Sequence, residues 1–179
     1  MAGLYGRLHT GALPQLRTLS TYVEQWTLEL SALPRTAAVP PRLVQQAVSA
    51  GRGFVNDPAT DGTLLHGDLH YAHVLAADRE PWLAISPTPL SGDPHYEVAP
   101  MLWNRYDELV GDYRDGVRRR FHTLVDAAGL DEHRARDWVV FRMACQAMRL
   151  LRDAPAGRRT PSDDAWLTLC VAVAKAVQD

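Results

Sequence analysis

Apolar positions recur at helical spacing over much of the chain. In PQLRTLSTYVEQWTLELS, residues 14–31, Leu16, Leu19, Val23, Trp26 and Leu30 share one face, with Pro14 near the start, which predicts a helix. LPRTAAVPP then breaks the pattern, and PRLVQQAVSAGRGFV, residues 41–55, restarts a helix with Pro41 in its first turn. NDPATDG is turn chemistry. TLLHGD reads as a short strand running into a loop, and HVLAA and WLAIS, joined by DREP, read as a β-hairpin of two short strands. PTPLSGDPHYEVAP, with Pro87, Pro89, Pro94 and Pro100, predicts a structured loop. Helices follow at about 97–110, 112–128, 131–153 and 161–177. The third of these carries Trp138, Phe141, Met148 and Leu151 on one side, with Arg134, Arg136 and Arg142 mixed in, and Ser162 is the N-cap candidate of the last.

The pattern therefore predicts a mainly α fold with a small β-hairpin in a single domain over 1–179. N-terminal helices occupy 1–60, a loop and hairpin 61–96, and a helical subdomain 97–179. A chain of 179 residues buries a full core. The five tryptophans, Trp26, Trp82, Trp103, Trp138 and Trp166, are expected to serve packing.

Composition narrows the function classes. A formal net charge of −2 gives no electrostatic case for nucleic acid or an anionic membrane. No apolar run reaches the roughly 20 residues of a membrane span, and MAGLYGRLHTGALPQL lacks the order of a secretion signal, so a cytoplasmic protein is expected. Cys145 and Cys170, both in apolar helical surroundings, are expected to be buried thiols. Of nineteen basic residues only Lys175 is a lysine, so chemistry that needs a lysine on a phosphate has almost nothing to use.

Candidate chemistry concentrates in HGDLHYAH, residues 66–73. A carboxylate at a strand-to-loop exit, beside a glycine, is placed to accept a hydroxyl proton. Asp68 has that position; His73 lies five residues on, and Ser86 ends the second hairpin strand. The stretch resembles the aminoglycoside phosphotransferases, and within them the streptomycin and hydroxyurea kinase branch. That pattern is H-G-D-x-x-x-x-N, a hairpin ending in I-D-P, then G-D-P-x-x-[DE]-x-A-P. This chain has HGDLHYAH, WLAISPTPL and GDPHYEVAP, followed by LWNRYDEL, and the match is close over about 60–110.

The resemblance implies the helical lobe of a protein-kinase-like enzyme that uses Mg and ATP, with Asp68 as the counterpart of the catalytic base and Glu97 bracing its loop. Two letters depart from the family: His73 stands where it has a metal-binding Asn, and Ser86 where it has the metal-binding Asp. Magnesium takes oxygen ligands in near-octahedral array, which an imidazole and a neutral hydroxyl meet poorly. The residues ahead of His66 read as helices, without a lysine or a glycine-rich phosphate loop, so the nucleotide lobe is expected to be absent. Neither ATP nor Mg is then expected as a cofactor.

Three readings stay open. The chain is a truncated kinase-like protein that binds a small polar molecule or a partner without transferring phosphate; or a repurposed enzyme using Asp68 with His73 or His70 for acid–base work on a polar natural product; or a residual phosphotransferase completed by another chain. Asp68, His73 and His70 are the catalytic candidates. His66, His95, Asp93, Glu97 and Asp107 are the substrate-binding candidates, although His66 and Asp93 also suit loop bracing. Transition-metal binding by the histidines is a minority reading, because H-x3-H-x2-H in a loop matches no established zinc motif. Arg118, Arg119 and Arg120 read as a solvated helix face. Without a second lobe, a face near Leu65, Val74, Leu83 and Ile85 would lie open, which predicts a partner, a homodimer or a lid of N-terminal helices.

Overall fold

The computed structural model describes residues 2–78, 80–109, 111–154 and 158–178. The α-helices are α1 (Ala2–Leu8), α2 (Leu19–Ser31), α3 (Pro41–Val55), α4 (Val98–Trp103), α5 (Tyr113–Ala128), α6 (Glu132–Asp153) and α7 (Pro161–Ala176). The strands, all short, are β1 (Thr63–Leu65), β2 (Val74–Leu75), β3 (Leu83–Ala84) and β4 (Leu90–Gly92). They form two antiparallel pairs: β1 with β4, Leu65 opposite Leu90, and the expected hairpin β2 with β3, Val74 opposite Ala84.

Local chemistry accounts for most boundaries. Pro41 opens α3 at a position where its missing N–H costs nothing. Gly129, at φ 64°, closes α5 in the left-handed conformation. The Asp131 carboxylate accepts the Arg134 N–H at the start of α6. Helix α7 is capped by Thr160 rather than Ser162: the Thr160 hydroxyl accepts the Asp163 N–H while the Asp163 carboxylate accepts the Thr160 N–H, a reciprocal box that Ser162, inside the helix, cannot make.

Long-range pairing moved other boundaries. The first predicted helix starts at Leu19 rather than near Pro14, because the Arg17 carbonyl accepts the Ser91 N–H at 2.9 Å and Thr18 bridges Ser91 in parallel. The predicted loop 87–100 contains β4, and the helix expected at 97–110 is divided. Pro94–Glu97 and Tyr106–Leu109 are 3-10 turns around α4, with Asn104 extended and Arg105 at φ 54° between.

Helix α6 is the spine. Every residue from Trp138 to Cys145 is buried, as expected of a helix that is covered on all sides. On one flank it meets α2, α3 and β1, where Phe54 stacks on Trp138 with ring centroids 3.8 Å apart, beside Phe141, Leu19 and Leu65. On the other it meets α4, α5 and α7 through Leu102, Phe121, Met143 and Val173. Cys145 and Cys170 are free and buried, and burial pushes each thiol up to about 12. No described helix is long and apolar enough to cross a membrane.

Two packing expectations are corrected. Trp82 is 57% exposed in the hairpin rather than packed. The expected open face is smaller than predicted, because Leu65 is 1% exposed beneath the β1–β4 pair; the exposed apolar side chains there are Leu75, Trp82 and Leu83. Along β1 the N-terminal segment adds further backbone pairing, with Gly11 bridging Thr63 and the Leu64 N–H donating to the Thr10 carbonyl at 2.8 Å.

Candidate functional site around Asp68

Strand β1 ends at Leu65 and delivers His66, Gly67 and Asp68 to a loop held from three directions. His66 is buried; its Nε2–H donates to the Ile85 carbonyl at 2.9 Å and its Nδ1 accepts the Asp68 N–H at 3.3 Å, which fixes the tautomer. Gly67 sits at φ 85°, and a Cβ there would stand 2.3 Å from the Thr88 carbonyl oxygen, so only glycine fits. The Gly67 N–H donates to Glu97 Oε1 at 2.6 Å, and its carbonyl accepts from Arg142 Nη2 at 2.7 Å. Both peptide groups of the residue before Asp68 are thus clamped by side chains from the helical core.

Asp68 itself points outward, with its side chain 40% exposed. The chain then turns through the 3-10 turn Tyr71–His73, and the His73 Nδ1–H donates to the Asp68 carbonyl at 2.8 Å. His70 and His73 stack with ring centroids 3.9 Å apart. His70 Nε2 and His73 Nδ1 lie 3.6 and 3.7 Å from Asp68 Oδ2. Burial of its ring holds His70 below the ordinary histidine range, against the opposing pull of the Asp68 charge. The Ile85 N–H donates to the His73 carbonyl at 2.9 Å, so Ser86, exposed and at φ 57°, follows a residue anchored to both His66 and His73. The three catalytic candidates are therefore brought together.

The substrate-binding candidates are spread over the frame: His66 lies beside His73, ring centroids 5.9 Å apart, while Asp93 and His95 bond each other. Glu97 is fully buried: Oε1 takes the Gly67 N–H, and Oε2 accepts from His9 Nε2 at 2.8 Å. Asp93 is buried and accepts the His95 N–H and Nδ1–H on one oxygen, and Trp138 Nε1 and Arg134 Nε on the other. Burial works to raise the Asp93 carboxyl, but the bonds from His95 and Trp138 outweigh it and hold the group below the usual carboxylate range. His95 completes this brace by accepting the Asp131 N–H on Nε2 at 3.0 Å. His66, Asp93, His95 and Glu97 each bond other residues of this frame. Asp107 is exposed on the turn Tyr106–Leu109, which packs against α5. Of its acidic neighbours, Glu108 pairs with Arg105, and Asp112 with Arg119 at 3.1 Å. Arg120, expected on a solvated face, instead donates to the Asn104 and Arg105 carbonyls and so closes the end of α4.

The sequence does not mark two residues of this frame as parts of the site. Arg142 is buried over the faces of Tyr96 and Trp103, 3.9 and 5.2 Å from the ring centres, and bonds the Tyr96 and Gly67 carbonyls. Its signal was an arginine inside the apolar run VVFRMAC. His9, stacked on Tyr5 at 4.9 Å, reaches Glu97 across 88 residues of sequence, while Tyr5 donates to the Glu97 carbonyl. No local pattern announces it.

Residues 1–154 match the aminoglycoside/hydroxyurea antibiotic resistance kinase family. The chain is 38% identical over 178 residues to a streptomycin 6-kinase of Streptomyces glaucescens, an alignment covering 97% of this chain and 56% of that protein. It is 41% identical over 149 residues to a streptomycin 6-kinase of Streptomyces griseus, covering 80% and 48%. It is also 38% identical over 150 residues to a hydroxyurea phosphotransferase of Kitasatospora aureofaciens, covering 80% and 41%. The chain spans about half the length of these curated relatives. No solved structure matches it. A clamped HGD loop, its buried glutamate brace and a match over most of the chain lead to one conclusion: the chain belongs to the aminoglycoside/hydroxyurea antibiotic resistance kinase family.

Proposed function

We propose that this chain is a kinase-like helical lobe that binds a small polar molecule of the streptomycin or hydroxyurea type beside Asp68 and does not by itself transfer phosphate from Mg-ATP. The observation that carries the reading is the donor set around the carboxylate. A magnesium ion bridging phosphates asks for hard oxygen ligands; here Asp68 is accompanied by two imidazoles, and the position where the family pattern has its second metal ligand carries the neutral hydroxyl of Ser86. The residues present do not fit magnesium. Two two-stranded sheets among the described residues support the helical-lobe reading, since neither resembles a nucleotide-holding β lobe. The lone lysine, Lys175, lies in the last turn of α7.

Asp68 keeps the placement of a proton acceptor: an exposed carboxylate on a fixed backbone, able to take a hydrogen bond from a ligand hydroxyl. A second reading, acid–base chemistry without nucleotide, draws on the 3.6 and 3.7 Å approaches of His70 and His73 to the same oxygen. The deciding experiment is a thermal melt with Mg-ATP, alongside a phosphate-transfer assay on streptomycin and hydroxyurea. A ligand at 100 times its Kd adds about 2.7 kcal/mol, a rise in Tm of about 5–10 °C for a domain of this size. No rise and no phosphorylated product are expected. The double variant His73→Asn, Ser86→Asp should gain Mn2+ binding visible by electron paramagnetic resonance. Phosphate transfer by the unaltered chain overturns the proposal.

A further inference from the structure

We infer that Asp68, His70 and His73 form a binding site for one divalent transition-metal ion, with zinc as the best-matched ion and one coordination position left for an oxygen of a polar ligand. The inference deepens the proposed function and rests on it only in that magnesium does not fill this place. Among the described residues these three are the sole group of His, Cys, Asp or Glu side chains whose candidate ligand atoms all fall within 4.8 Å of one another.

Two of the three ligand-atom separations approach the edge of a tetrahedral site. Bonds of about 2.0–2.1 Å place neighbouring ligand atoms roughly 3.4 Å apart. His70 Nε2 and His73 Nδ1 stand 3.6 and 3.7 Å from Asp68 Oδ2, within a few tenths of an ångström of that edge. The two rings stack at an interplanar angle of 24°, so both must turn for their in-plane lone pairs to converge on one ion. The backbone beneath is fixed where it matters: Gly67 is clamped by Glu97 and Arg142, and the peptide of His73 is tied to Ile85. Binding through His73 Nδ1, the nitrogen that stands 3.7 Å from the Asp68 carboxylate oxygen, releases its bond to the Asp68 carbonyl. His70 Nδ1 is a buried ring nitrogen with no hydrogen-bond partner, so the ring is not committed to another role.

The donor chemistry selects the ion class. Two imidazoles and a carboxylate suit zinc, cobalt, nickel or copper rather than magnesium or calcium. Three protein ligands are one fewer than a closed structural zinc site uses and match the count of an open one. The Asp68 side chain remains 40% exposed, so the fourth position faces solvent and any small molecule held there. A hydroxyl or hydroxamate oxygen is the class of ligand it would accept.

The test uses the whole chain without an affinity tag, stripped with EDTA and desalted. Co2+ is titrated by its visible absorption, and Zn2+ by competition with a chromophoric chelator. One ion per chain is expected, with an absorption band of tetrahedral intensity. His73→Asn and His70→Gln should each weaken Zn2+ binding at least tenfold, and Asp68→Asn likewise, with unchanged circular dichroism. His133→Ala, on the exposed face of α6, should leave it unchanged. Absence of stoichiometric Zn2+ binding by the folded chain overturns the inference, as does binding that survives His73→Asn and Asp68→Asn. A Mg-ATP titration of the same sample is scored separately: a positive result there removes the proposed function, whatever zinc does.

Discussion

Glu97 is the residue through which the helical core sets the position of Asp68, and replacing it gives a worked measure of that coupling. Its carboxylate is fully buried and accepts the Gly67 N–H at 2.6 Å and His9 Nε2 at 2.8 Å. In Glu97→Ala both donors lose their partner. The Gly67 N–H cannot turn to water, because Gly67 is buried and its carbonyl is held by Arg142. An unsatisfied buried donor costs about 1–3 kcal/mol, and the lost hydrogen bond from His9 to a carboxylate about 1.5–3 kcal/mol. Because the two estimates overlap, the total expected is about 3–5 kcal/mol, a fall in Tm of roughly 6–20 °C. Glu97→Gln keeps an acceptor for Gly67 and turns an amide towards His9, which can receive it on Nε2 by changing tautomer, so about 1 kcal/mol is expected. Urea unfolding of the two variants, with His9→Ala and the double variant His9→Ala, Glu97→Gln, completes the cycle. The pair should couple by at least about 0.5 kcal/mol, since the groups touch. If Glu97→Ala costs under about 1 kcal/mol, or matches Glu97→Gln, Glu97 does not brace the loop and the account fails.

Two further outcomes follow from the same frame. The Asp93 carboxyl is held below its unfolded value of about 3.9, so its contribution is fully present above that pH and is lost as pH falls through the lower folded value. Asp93→Asn should therefore be clearly less stable than the parent at pH 7, with the gap narrowing below about pH 4 in melts across pH. At Gly67 (φ 85°) alanine adds both left-handed strain and a 2.3 Å approach to the Thr88 carbonyl, for a loss of about 2–4 kcal/mol by urea unfolding. Gly129→Ala, also left-handed but in open space, should lose only about 1 kcal/mol; equal losses at the two glycines would show that the Thr88 contact contributes nothing.

What the sequence made legible is what local chemistry determines. Helix α3 runs from Pro41 to Val55 as its pattern predicts, and the hairpin pairs Val74 with Ala84 as the two short apolar runs imply. The meeting of Asp68, His70 and His73 is equally local, because a 3-10 turn at Tyr71–His73 returns the third residue to the first. Strand β4 was hidden in a proline-rich stretch because its partner β1 lies some 25 residues earlier and supplies the reason for it to extend. The brace was hidden for the same cause at greater range: His9 reaches Glu97 across 88 residues, and Arg142 reaches Gly67 across 75. Nothing in GDPHYE shows that both ring nitrogens of His95 have partners, one in Asp93 and one in the Asp131 backbone.

That division between near and far has a consequence for the site. The distant contacts that fix the loop, from Glu97, Arg142 and His66, are fully formed. Of the two departures from the family pattern, Ser86 is exposed, whereas the partly buried His73 bonds the Asp68 carbonyl and stacks on His70. A loop kept rigid by buried bonds at this many points holds Asp68 in one place whatever ion or ligand lies beside it. The frame thus carries the position of the carboxylate, and the residues beside it choose what meets it. Replacing His73 should weaken zinc binding with a smaller effect on Tm than replacing Glu97 or Gly67.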